Sequence, residues 1–182
     1  MIWIILVVIF VLLFLYVIST FNLLVKLRNK VRNQWSQIDV VLKNRADLIP
    51  NLVETVKGYA KHESETLEAV ISARNKYVSA TTPEGQMAAS GEITGALSKL
   101  FALSESYPDL KANASFLDLQ AKLTESEDKI RYARQFYNDA VNQFNNKVEM
   151  VPSNIVAGMF HFEMAKLFEA NETDKEVPKV QF

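Results

Sequence analysis

The chain has 182 residues, a net charge of −1 and no cysteine. That length suits one modest domain with a buried core. The balanced charge supplies no global field to draw nucleic acid, and the missing cysteines exclude disulfides, thiolate nucleophiles and cysteine-ligated metals. Glycine and proline number five each; so few turn residues, with many Ala, Leu, Val, Lys, Glu, Asn and Gln, predict an all-α chain.

The N-terminus reads MIWIILVVIFVLLFLYVI, and no charged side chain precedes Lys26. About 20 apolar residues span a bilayer core, and residues 2–24 reach that length. A cleaved signal peptide would show a basic start, a shorter apolar core and a small-residue cleavage site. None is present in STFNLLV or before it, so an uncleaved transmembrane helix is expected, with the lipid bilayer as first partner. Lys26, Arg28, Lys30 and Arg32 follow the span, and no acid appears until Asp39. The positive-inside rule then puts the short N-terminus outside and the C-terminal domain in the cytoplasm. Near anionic headgroups each cation adds about 1 kcal/mol of attraction.

Past the span, apolar residues recur at Val31, Trp35, Ile38, Leu42, Ile49, Val53 and Val56, at helical spacings. The membrane helix is therefore expected to run on into the following domain, as a rod of about 74 Å by Ile49 at 1.5 Å per residue. Within it lies NRADLIPNLVETV. Pro50 inside a helix costs ~3 kcal/mol and leaves the Ala46 carbonyl without its helical donor, which predicts a kink there, beside polar side chains that replace the donor.

KGYAKHES closes this segment. A second helix is expected over residues 63–80, with Leu67, Val70, Ile71, Arg74 and Val78 on one side. TTPEG opens a third, Pro83–Ser104, with Thr82 as N-cap and Pro83 in the first turn. Gly91 and Gly95 in MAASGEITGALS predict close packing or local softness rather than a membrane dimer. YPDLKAN connects to the longest segment, residues 115–150, striped by Leu119, Leu123, Ile130, Ala133, Tyr137, Ala140, Phe144 and Val148 and stopped by Pro152. The apolar stretch SNIVAGMFHFEMAKLF must dock or mark a partner surface, and NETDKEVPKVQF reads as a polar tail. Short connections between four helical segments predict an antiparallel up-and-down four-helix bundle with long helices, continuing from the transmembrane helix. The divisions are a transmembrane helix at 1–25, a bundle domain at 26–170 and a tail at 171–182.

NQWSQIDVVLKNRADLIPNLVETVKGYAKHE, ESEDKIRYARQFYNDAVNQFNN and VPSNIVAGMF together resemble the LemA family of bacterial membrane-anchored proteins, over nearly the whole chain to about residue 170. The resemblance implies one N-terminal membrane helix, a short outer N-terminus, an antiparallel helical bundle and a place in the bacterial inner membrane. It brings no catalytic residues and no cofactor.

The residues themselves offer no catalytic or metal-binding motif. His62 and His161 each lack a histidine four residues on, and no HExxH, G-x-S-x-G or phosphate-binding loop occurs. Glu125, Glu127 and Asp128 read as a solvated helix face. The polar stripes say more: Asn33, Gln37, Asn44, Asp47 and Asn51 on the first helix, and Glu127, Arg131, Arg134, Asn138, Asn142 and Asn145 on the last. Arg45 falls inside the apolar seam, where an unpartnered charge would be very costly. The expected arrangement is a polar register around Pro50, in which Asp47 and Asn51 meet Arg131 or Arg134 and Arg45 meets Glu127; part of the stripes would otherwise contact another subunit. The function expected is a non-catalytic, membrane-anchored scaffold that forms homo-oligomers. The alternative is an adaptor or regulator of another membrane or cytoplasmic protein, such as a protease or signalling system.

Overall fold

The computed structural model describes residues 1–60 and 62–168; the expected tail at 171–182 lies outside the described residues. Among the described residues every regular element is helical: α1 (Ile2–Lys57), α2 (Ser64–Ser79), α3 (Pro83–Ser104), α4 (Pro108–Lys111), α5 (Ala114–Glu149) and α6 (Ser153–Met159). α1 and α5 contribute to both of two compact units.

The first unit comprises Met1–Ser36 with Gln135–Leu167. Residues 1–16 are exposed throughout, and α1 is long and apolar enough to cross a membrane, with a mean hydropathy of 3.2 over an 18-residue stretch. Burial begins at Thr20 and Leu24. Phe21 packs on Phe160 and Phe162, with ring centroids 4.7 and 5.7 Å away, and Phe162 also meets Phe144. Pro152 stops α5 as expected, and the buried Ser153 hydroxyl ties off the end: its Oγ lies 2.7 Å from the Lys147 carbonyl in the last turn and 2.8 Å from the Met150 carbonyl just beyond it. Residues 162–167 form no regular element and are held against α5. Asn145 donates to the Ala165 carbonyl at 2.8 Å and accepts from the Ala165 amide at 2.9 Å, and the Tyr137 hydroxyl donates to the Lys166 carbonyl at 2.9 Å. The apolar C-terminal stretch thus docks on its own chain through its backbone.

The second unit comprises Gln37–Arg134 together with Phe168 among the described residues. Ile38, Leu42, Ile49, Leu52, Val53 and Val56 of α1 form one buried seam. α2 packs on α3. Thr82 accepts from the Gly85 amide at 3.1 Å and Pro83 follows in the first turn, the cap that TTPEG spells. Asn113 does the same for α5, accepting from the Phe116 amide at 2.9 Å. The short α4 was not foreseen within YPDLKAN; it inserts Leu110 into the core.

Two helix faces differ from expectation. On α2, Val78 is exposed and Tyr77 is buried, because the Tyr77 hydroxyl finds the Asp39 carboxylate at 3.1 Å and so carries its ring inward. On α3, a Cβ at Gly95 would meet nothing within 4 Å; the small residues that pack are Ala89, Ser90 and Ala96. Pro50 is exposed, and α1 stays helical through it.

Candidate functional site

Arg45 is the largest fully buried side chain, 1% exposed. Its position follows from sequence: it lies on the Leu42–Ile49 seam, and a helix turns about 100° per residue, so the seam aims it at the core. Its Nη1 pairs with the Glu127 carboxylate of α5 and donates to Thr94 Oγ1 at 2.9 Å. Its Nη2 donates to the Ser90 carbonyl at 3.0 Å and to Ser90 Oγ at 2.6 Å. Thr94 Oγ1 lies 3.2 Å from both the Ser90 carbonyl and Glu127 Oε1, so the donors and acceptors interlock. Among the described residues the Arg45 Nε has no hydrogen-bond partner. Burial pulls the guanidinium below its usual pKa, and the Glu127 carboxylate opposes the shift. Burial also raises the pKa of the nearby Tyr77 phenol, the Asp39 carboxylate adding to it.

The polar register is narrower than the sequence implies. Asp47 pairs with Lys43 on its own helix at 3.0 Å, and Arg131 with Asp128 at 3.0 Å. Asn51 is exposed. Asp47 and Asn51 therefore do not meet Arg131 in the manner expected. The reason is angular: Asp47 lies about 200° around the helix from Arg45, on the solvent side. Asn33, Gln37 and Asn44 are exposed with them. Arg134 is half-buried, its guanidinium 5.9 Å from the Phe168 ring centre. Asn138 is half-buried in the first unit. Sequence reasoning missed Ser90 and Thr94, whose i,i+4 spacing in a run of small residues is the signal that could have found them.

Beside the network lies a groove of about 270 Å³, lined by Ser90, Thr94, Glu127, Arg131, Arg134 and Phe168. The Ser90 hydroxyl faces the Arg45 guanidinium and the Thr94 hydroxyl lies against the Glu127 carboxylate, so these contacts tie α1, α3 and α5 to one another. Among the described residues no three His, Cys, Asp or Glu cluster as metal ligands; His62 and His161 are exposed.

The basic residues after the apolar stretch lie in the first unit. Lys26, Lys30 and Arg32 are exposed, with Lys30 donating to Gln143 at 2.9 Å. Arg28 is half-buried and sits 5.0 Å over the Phe162 ring.

The described residues define a helical protein with an N-terminal helix of membrane-spanning length and a buried inter-helix ion pair. Residues 34–182 match the LemA family, and the chain belongs to it. Protein LemA of Metamycoplasma hominis is 29% identical over 158 residues, covering 85% of this chain and 71% of that protein. Magnetosome proteins MamQ 1 and MamQ 2 of Paramagnetospirillum magneticum are each 25% identical over 175 residues, covering 82% of this chain. The chain spans 64% of the length of those two proteins. Family and N-terminal helix together mark a membrane-associated helical protein.

Proposed function

We propose that the chain is a single-pass, membrane-anchored scaffold that self-associates at the membrane and performs no catalysis. The observation that carries this reading is α1 itself. It holds an exposed apolar stretch of bilayer length and runs on without a break to the residues that carry the buried Arg45. Anchoring confines copies to two dimensions and raises their effective concentration, so weak lateral contacts suffice for assembly.

In this reading α1, α2, α3 and α5 form an antiparallel up-and-down bundle, which the short α2–α3 connection and the packing of that pair support. Arg45 and Glu127 fix its register. The basic flank supports a bacterial inner-membrane location with the N-terminus outside and the helical domain in the cytoplasm.

The test is size: the full chain is extracted in mild detergent and weighed by light scattering after subtraction of the detergent. A defined multiple of the 20.7 kDa chain is the expected result, and a strict monomer in both detergent and membranes contradicts it. The groove at Arg131 and Phe168 favours a second reading, an adaptor for another membrane protein such as a protease or signalling system. There a pull-down returns a stoichiometric heterologous partner, and Arg131→Glu abolishes its capture.

A further inference from the structure

We infer that the outward face of residues 150–160, carried by Val151, Ile155 and Met159, inserts into the lipid at the boundary between headgroups and acyl chains. The inference rests on the anchoring reading above and adds to it.

The first observation is depth. At 1.5 Å per residue, Phe21 lies about 28 Å along α1 from Ile2, and a bilayer's hydrocarbon core is about 30 Å thick. Phe21 is therefore at the far edge of the hydrocarbon when α1 spans it. The Phe160 ring is 4.7 Å from the Phe21 ring, and the Phe162 ring 5.7 Å. Thr20, next to Phe21, and Leu24, about one turn beyond it, are buried although residues 1–16 are exposed. The segment that covers this turn is held at the same depth as the turn it covers.

The second observation is composition. Residues 150–162 read MVPSNIVAGMFHF, with no Asp, Glu, Lys or Arg. Glu149 and Glu163 bracket the stretch and are exposed. Val156 and Ala157 of α6 point inward and are buried, whereas Val151, Ile155 and Met159 are 77%, 63% and 63% exposed. α6 thus has an apolar face packed on the protein and a second apolar face left open. In water the open face has no favourable partner; at the acyl boundary it is solvated by lipid.

The third observation is the flanking charge. Arg28 sits over the Phe162 ring at 5.0 Å, and Lys26 and Lys30 are exposed on the same stretch of α1. Cations just outside an apolar face suit a headgroup layer, where long basic side chains keep their charge wet.

The chain has no cysteine, so one introduced thiol is labelled uniquely. The full chain, reconstituted into vesicles of phosphatidylcholine and phosphatidylglycerol, carries an environment-sensitive fluorophore at Ile155→Cys, Phe10→Cys or Ser98→Cys in turn. All three sites are exposed, so labelling spares the core. Quenching by lipid-borne nitroxide and by aqueous iodide is compared. The expected result is that position 155 is quenched by shallow nitroxide and shielded from iodide, as position 10 is by deep nitroxide, while position 98 shows the reverse. If position 155 behaves like position 98 while position 10 stays lipid-quenched, the inference fails and the anchor stands. Shielding of position 155 from both quenchers means protein covers it, which also overturns the inference. Loss of lipid quenching at position 10 removes the anchoring reading and this inference together.

Discussion

Arg45 and Glu127, 82 residues apart in sequence, meet in an ion pair that is fully buried on the Arg45 side and about one-third exposed on the Glu127 side. Removing one member of such a pair leaves an uncompensated charge, whereas replacing both members with packed apolar groups is often neutral. Glu127→Ala should therefore cost about 3–5 kcal/mol, because it leaves the fully buried guanidinium without its counter-charge. Arg45→Ala leaves a carboxylate that water already reaches, so its cost comes from the cavity and the hydrogen bonds lost at Ser90 and Thr94. Arg45→Met combined with Glu127→Leu should recover most of the loss. Chemical unfolding of the full chain in detergent measures these, with Arg45→Met and Glu127→Leu alone as the matching single variants; a double variant that loses the sum of those two would sink the coupling.

The clamp on residues 162–167 gives a separate prediction. Asn145→Ala removes both its bonds to Ala165, while Tyr137→Phe removes one bond to the Lys166 carbonyl. Net hydrogen bonds contribute about 1 kcal/mol each. The alanine variant should lose roughly 2 kcal/mol of local protection and the phenylalanine variant about half that. Hydrogen exchange at the Ala165 amide reads both directly, and unchanged exchange in Asn145→Ala would rule out the clamp.

Alkaline stability follows from Tyr77. Its pKa is raised in the folded state above the usual value of 10.0 by burial and by Asp39. A raised folded pKa means the native state holds the proton more tightly than the unfolded state. The stability this provides is complete below pH 10 and falls as the unfolded phenol ionises above it. Tyr77→Phe should flatten that alkaline limb. Thermal melts between pH 8 and about 11.5 test it, and identical limbs in both proteins would contradict the assignment.

Capping residues were the most legible part of the fold. Thr82 before Pro83 specifies a helix start, and the structure places its hydroxyl oxygen on the Gly85 amide. Thr82→Ala should cost about 1 kcal/mol and Thr82→Ser almost nothing, read as a shift in unfolding midpoint; equal losses in the two variants would count against the cap.

The apolar seams were legible for the same reason that capping was: both are local. The Leu42–Ile49 seam announced that Arg45 is buried, and burial demanded a partner. What sequence could not resolve was angle and reach. Asp47 and Asn51 share a stripe on paper, yet the turn from Arg45 carries them to solvent and leaves Asp47 to Lys43. Tyr77 displaces Val78 from the α2 core face because its hydroxyl finds Asp39 across the unit; such pairing depends on tertiary position. The return of residues 162–167 along α5 rests on backbone groups of Ala165 and Lys166 paired with Asn145 and Tyr137, and backbone groups carry no sequence signature.

Self-association of the anchored chain can be read by single-molecule photobleaching of the fluorescently tagged full chain in native membrane vesicles at low expression. The expected step-count distribution is centred on a fixed number above one and persists on dilution of the protein in lipid. A distribution of single steps at every dilution would contradict it.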